Sequence, residues 1–374
     1  MNKKFKRTLA GLTAFLMAFS AAAIPQVADT IGISIVASAE GEVQTEATVD
    51  GIKYTLNAEE NTASVARQDS ASVSGEVTIP EKITVEETDY TVTSIGDNAF
   101  GSCDKLTKIT IPGTVTSIGN SAFACCWKLE TVEFSVGLKT IGDYAFMSLP
   151  KIKSIEIPDG VETIGIKAFV DNAYAESLSL PSSVNSIGEG AFMGCGFTTI
   201  TVAEDNANFF SEDAVLFNKD KTEILSYSRC KTNTTYTIPE SVTTIKANAF
   251  WGCRLTTITI PSGVTSIGDS AFGSSLNLTE ISVAEGNANY KSENGVLIGK
   301  SDNKLIAYPT AKADTSYEIP DSVEIIGAYS FGECNNLQSV TIPASVKTIG
   351  REAFAACNSL WSATRLTSRA AMSP

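Results

Sequence analysis

The chain has 374 residues, 43% of them hydrophobic, with 28 Lys+Arg against 42 Asp+Glu, a formal net charge of −14 and no histidine. An acidic surface of this kind repels nucleic acid and anionic lipid, so neither is expected as a partner. The lack of histidine removes Ser-His-Asp and Cys-His nucleophile arrangements and every histidine-bound metal centre.

Lys3, Lys4, Lys6 and Arg7 precede an apolar run from Leu9 to Phe19 and then small residues, the layout of a secretory signal peptide. The run is too short for a membrane helix. Cleavage is expected after Ala39, at the end of the Ala37-Ser38-Ala39 triplet, with Ala23 as the other position, so residues 1–39 are read as the signal peptide. No cysteine lies among them to carry a lipid, and no later stretch is long and apolar enough to span a bilayer. The expected product is exported, secreted or held at the cell surface without membrane insertion, and carries 24 Lys+Arg and 41 Asp+Glu, a net charge of −17.

Residues 40–95 follow. Ile52 to Leu56 and Ala63 to Arg67 read as strands, and Val85 to Val92 as a hairpin. The segment is expected to be an N-terminal β cap, because the first coil of a stack would otherwise expose an apolar end and a bare strand edge.

A repeat then takes over. Phe100, Phe123, Phe146, Phe169 and Phe192 recur every 23 residues, each after alanine, and the pattern resumes at Phe250, Phe272, Phe331 and Phe354, giving nine occurrences. The unit reads Leu-x-x-Ile-x-Ile-Pro-x-x-Val-x-x-Ile-Gly-x-x-Ala-Phe-x-x-Cys, as in Leu106, Ile109, Ile111, Pro112, Val115, Ile118, Gly119, Ala122, Phe123 and Cys126. Ile109 and Ile111 alternate with polar residues, the period of a half-buried strand, and Pro112 ends it by withholding a ladder donor. Gly119 marks a turn that needs positive φ or close backbone approach, and Ala-Phe fits a short helical or 3₁₀ turn driving a ring inward. One coil cannot bury these side chains. Stacked at the strand spacing of about 4.8 Å, the coils turn each repeat position into a ladder.

On these residues the chain resembles the BspA-type leucine-rich repeat (TpLRR) family from about Ile79 to Leu360, with local departures at Ser135, Lys246 and Ser330. The resemblance implies a mainly β repeat solenoid of about nine 23-residue coils over residues 96–360. It also implies a bacterial secreted or cell-surface protein that mediates protein–protein interaction or adhesion to host matrix or bacterial surface proteins. A carbohydrate-binding or scaffolding module in a larger surface assembly is the alternative.

Two insertions interrupt the solenoid. Val202 to Pro239 and Val283 to Pro320 align without gaps at an offset of 81 residues, pairing Asn208 with Asn289, Phe209 with Tyr290, Leu216 with Leu297 and Tyr227 with Tyr308. Each is expected to be an enlarged coil, 203–238 and 284–319, holding a β-hairpin between two standard strands. At the far end Leu360 is in register, but Ala363-Thr364-Arg365-Leu366 replaces the strand motif, so 361–374 reads as an irregular tail or a sign of truncation.

Cys103, Cys126, Cys195, Cys253, Cys334 and Cys357 share one repeat position, filled elsewhere by Leu149, Asn172 and Ser275, a small interior slot. Mostly free, buried thiols are expected, with Cys103–Cys126 and Cys334–Cys357 as the pairs that neighbouring coils could bridge. The acidic residues Glu130, Glu133, Glu156 and Glu176 read as a solvated face rather than a hydrolase pair. The polar groups Asp205, Asn206, Asn208 and Glu285, Asn287, Asn289 read as turn formers rather than a calcium loop. No catalytic residue, cofactor or metal is expected, and the chain is read as a monomer.

For binding, the outward row between the two isoleucines runs Thr110, Glu133, Glu156, Ser179, Thr201, Thr259, Ser282, Thr341, a continuous polar face poor in aromatics. Stronger anchors are Trp127 and Trp251 in the turns and Phe209, Phe210 and Tyr290 in the insertions, since aromatics concentrate binding energy when exposed. The opposing reading packs those rings under their own hairpins.

Overall fold

The computed structural model describes residues 33–37 and 43–365. The positions Ala23 and Ala39 and the tail beyond Arg365 lie outside them. Among the described residues every regular element is a strand. The repeat winds as a series of parallel pairings in which the short strands, and most of the long strands, meet their counterparts one repeat away. Thr131, Val132 and Glu133 stand against Lys108, Ile109 and Thr110, and Thr140-Ile141 stands between Ser117-Ile118 and Thr163-Ile164.

The Phe ladder follows from that register. Phe100, Phe123, Phe146 and Phe169 stack with ring centroids 5.3, 5.2 and 5.2 Å apart and planes within 8° of parallel. All four are buried. Each burial contributes about 1.5–3 kcal/mol. The Ala-Phe step is not a helix: single three-residue-span bonds, such as Ala99 N–H to the Gly96 carbonyl at 3.2 Å and Cys103 N–H to Phe100 at 3.0 Å, alternate with bonds to the next coil, Phe100 N–H to Ala122 at 2.7 Å. The inter-coil bonds compete successfully for the N–H groups a helix would use.

Gly119 resolves into the second of its two expected roles. A Cβ there would stand 2.6 Å from the Asp97 nitrogen, and Gly142 and Gly165 lie as close to the coil before each of them. Positive φ falls instead two residues after the glycine, at Asn98, Ser121 and Tyr144, and two after the Phe, at Ser102, Cys125 and Ser148.

Toward the N-terminus, Val43–Val49, Ile52–Asn57 and Thr62–Val65 form an antiparallel meander whose last strand pairs in parallel with Thr88–Ile95, extending the short-strand sheet. The hairpin Lys82–Val85 to Thr88–Ile95 turns on Glu86 and Glu87, with φ of 49° and 64°, as a two-residue primed turn requires. Ile33–Ala37 pairs with Val43–Val49; cleavage after Ala39 would remove this strand and cleavage after Ala23 would keep it. At the other end, Ser362–Arg365 differs from the irregular tail expected there. It pairs in parallel with Ser339–Ile342, because ladder hydrogen bonds are made by backbone and do not require the Ile-x-Ile side chains.

Each insertion is a three-stranded meander. Phe209–Glu212, Val215–Asn218 and Glu223–Tyr227 pair antiparallel, and the third strand then takes the place of a short strand, pairing in parallel with Thr244-Ile245. Tyr290–Glu293, Val296–Gly299 and Lys304–Ala307 repeat this. Tyr227 and Tyr308 enter the Phe ladder, stacking 5.1 Å from Phe250 and 5.2 Å from Phe331. The middle strands have both faces buried. Leu216 packs in the N-terminal core while Val215 and Phe217 pack in the next, and Leu297 and Val296/Ile298 divide the same way. The apolar interior is therefore three segments separated by two hairpin walls.

Candidate binding surface

The polar row of the long strands is present but broken. Thr110 faces Glu133; Glu156, Ser179 and Thr201 line up in the next sheet; Thr237, Thr259 and Ser282 form another. The row is thus a set of three-stranded sheets rather than the continuous face expected, because the meanders part the long strands and no ladder joins Thr131–Phe134 to Ser154–Glu156. Glu133, Glu156, Ser179 and Thr201 are exposed, Thr110 and Thr259 half-buried. Much of the row's polarity is internally matched. The Thr110 hydroxyl donates to Glu133 at 2.9 Å, and Lys108 pairs with the same carboxylate at 2.8 Å, holding it below the usual carboxylate range. Glu130 and Glu176 are also exposed.

The five aromatic candidates separate sharply. Trp127 is 60% exposed, while Phe209 is buried in the core. Phe210 is half-buried with the Lys221 ammonium 4.5 Å from its ring centroid, and Tyr290 is half-buried with its hydroxyl donating to the Thr265 carbonyl at 3.3 Å. Trp251 is half-buried, seated over Gly273 and 4.8 Å from the Tyr329 ring. Two further exposed side chains share the edge of Trp127: Tyr174 and Leu276, each 59% exposed. All three lie one or two residues past the Cys slot, at Cys126, Asn172 and Ser275, where other coils carry Asp104, Asn335 and Asn358. Trp127 was found from the sequence; a large apolar residue where several other coils carry Asp or Asn is the signal that would have found Tyr174 and Leu276.

The slot itself is a donor site rather than merely a small one. Cys126, Cys195 and Cys357 Sγ donate to the carbonyls of Phe100, Phe169 and Phe331 at 3.0, 3.0 and 2.8 Å, and Asn172 Nδ2 and Ser275 Oγ donate to Phe146 and Phe250 at 2.9 Å each. All eight cysteines are free thiols. Burial pushes the Cys103 thiol up to about 11 and Cys126 to about 12, which suits packing and not nucleophilic attack. Asn206 and Asn287 are likewise committed. Asn206 Nδ2 donates to the Pro181 and Val184 carbonyls at 2.8 and 3.1 Å while Oδ1 accepts from Asn208 and Phe209 N–H, and Asn287 repeats the set on Pro261, Val264, Asn289 and Tyr290. These amides brace each meander against the coil before it, so they have no lone pair left for calcium.

With the coil geometry established, comparison with known proteins is direct. The family model described as the BspA type leucine rich repeat region, in six copies, matches residues 93–222, 221–294 and 310–369. The chain belongs to that family, a repeat scaffold associated with interaction rather than an enzyme class. A leucine-rich repeat protein from Eubacterium ventriosum superposes with a TM-score of 0.60 at 24% identity, covering 87% of this chain and 96% of its own. The pneumococcal vaccine antigen PcpA superposes with a TM-score of 0.56 at 23% identity, covering 90% and 89%. No curated protein sequence matches the chain. Among the described residues, no helix is long and apolar enough to cross a membrane.

Proposed function

We propose that this protein is an exported bacterial surface protein that binds partner proteins, in the service of adhesion to host matrix or to other bacteria. The observation that carries the reading is the turn edge on which Trp127, Tyr174 and Leu276 stand exposed beside a solvated, acidic strand row. Large apolar side chains held exposed to solvent are where interface energy can concentrate. The row Thr110, Glu133, Glu156, Ser179, Thr201 and Thr259 supplies polar contacts, since the chain runs from the turn edge straight into those strands. The basic-then-apolar N-terminus supports export, and the meander of residues 43–65 supports a capping role, because it occupies the sheet edge that the first coil would leave bare.

The test is an array of host matrix proteins, bacterial surface proteins and glycans probed with the full chain. At least one protein should bind, and Trp127→Ala with Tyr174→Ala and Leu276→Ala should weaken that binding by about tenfold or more. Binding confined to glycans would overturn the reading.

A further inference from the structure

We infer that the cavity beside Trp251 captures an acidic side chain of a partner protein, its carboxylate held by Arg229 and Arg254 and its apolar neighbour by Leu276. This cavity of about 380 Å³ is lined by Arg229, Trp251, Arg254, Ser274, Leu276 and Glu333, among others. That volume lies within the range of side-chain and small-ligand pockets, about 300–1,000 Å³.

The charge at this place is against the trend of the molecule. The chain carries a net −14, and its described arginines are Arg67, Arg229, Arg254, Arg351 and Arg365, of which two meet here. Among the described residues neither of the two stands in an ion pair. Arg229 donates to the Gly194 carbonyl at 3.3 Å and feels the Asp171 carboxylate, whose pKa burial nevertheless raises; the Arg254 side chain is exposed. The one carboxylate in the wall, Glu333, is turned to other work, accepting from the Ser274 and Tyr329 hydroxyls at 3.0 Å each. Two arginines outside any ion pair, both lining one concave site, match a carboxylate in charge.

The molecule also contains its own control. The 81-residue offset that relates the two enlarged coils places Thr310, Gly332 and Asn335 where the first copy has Arg229, Trp251 and Arg254. Both copies build the same meander and the same Phe-turn, with Phe250 and Phe331 buried alike. The fold therefore does not require the two arginines or the indole. A peptide suits the site better than a sugar acid, because the exposed Leu276 offers an apolar contact that a ring of hydroxyls would leave unmatched.

The inference rests on the protein-binding reading, and its test is separable from that of the reading. Binding of the full chain to the immobilised peptide Ac-Leu-Glu-Glu-Leu-NH₂ is compared with its amide twin Ac-Leu-Gln-Gln-Leu-NH₂, with sialyllactose and inorganic sulfate as further ligands. The acidic peptide should bind about tenfold tighter than its twin, and less tightly as salt is raised. Arg229→Thr with Arg254→Asn installs the second copy's residues; it should melt at the wild-type temperature and lose the preference. Arg254→Glu alone, a surface change, should reverse it. Equal binding of the twins, no binding of either, a preference kept in the double variant, or sialyllactose or sulfate binding as tightly would each overturn the assignment. A protein partner that the double variant still holds on the array would leave protein binding standing while this site falls.

Discussion

The meanders Phe209–Tyr227 and Tyr290–Tyr308 share one backbone, yet they treat the same buried hydroxyl differently. Tyr308 Oη donates to Asp314 at 3.1 Å, and Lys312 pairs with that carboxylate at 2.8 Å. In the first copy Asn233 stands where Asp314 does, Lys231 is turned to Asp213, and Tyr227 Oη is buried with no hydrogen-bond partner among the described residues. Both tyrosines nevertheless stack in the Phe ladder, and both meanders are braced by a buried asparagine. The lesson is that apolar strands and backbone-directed amides hold this architecture, while the polar groups around them are free to diverge.

The largest test of that equivalence is removal of a ladder ring beside each tyrosine. Phe250→Ala and Phe331→Ala should each lower stability by about 3–5 kcal/mol in chemical denaturation, since a buried ring leaves a cavity in either copy. A loss in one copy alone would break the comparison. The hydroxyls sharpen it: Tyr308→Phe should cost about 1 kcal/mol, whereas Tyr227→Phe should stabilise by about 1 kcal/mol, because it deletes a buried group with no hydrogen bond. A destabilised Tyr227→Phe would mean that the hydroxyl has a partner in solution.

The hairpin turns give the next contrast. Asp213-Ala214 and Asn294-Gly295 both adopt positive φ, 48° and 54° against 52° and 81°. Gly295→Ala should therefore cost about 1 kcal/mol, and its added Cβ would press on Glu280 at 3.3 Å. Ala214→Gly should gain less than that, since relief of the left-handed strain is offset by loss of a buried methyl of about 0.8 kcal/mol.

The smallest effect is in acid. The Lys312 ammonium, and then the Tyr308 hydroxyl, hold the Asp314 carboxyl below its ordinary value. A depressed carboxyl stabilises the fold above its unfolded pKa of about 3.9, and that contribution is lost as pH falls through the lower folded value. Melting temperatures followed below about pH 4 should fall less steeply for Asp314→Asn than for the wild type.

Much of this was legible in the chain because a repeat averages out local ambiguity. The spacing of Phe100 to Phe192, the Ile-x-Ile alternation and the 81-residue offset each pointed to stacked coils. The misreadings share one cause, the neighbour one coil away. Ala-Phe looked helical until the next coil claimed its N–H groups, and the small interior slot of Cys126 held buried free thiols as expected while the Phe100 carbonyl 3.0 Å from its sulfur added a donor role that the chain alone did not show. Trp127 directly follows the Cys slot and faces solvent, whereas Trp251 directly follows its Phe and is pinned over Gly273, the residue at the same repeat position in the following coil.

A period of 23 residues with one ring per turn already dictated a ladder, since stacking is how a chain whose single coils have no interior can shield nine equivalent phenylalanines from water. Where Arg229, Trp251, Arg254 and Leu276 would meet was not written in any motif. They come together from three successive coils, Trp251 and Arg254 sharing the middle one, only because stacking makes residues about one repeat apart into neighbours, and the hairpin wall adds Arg229.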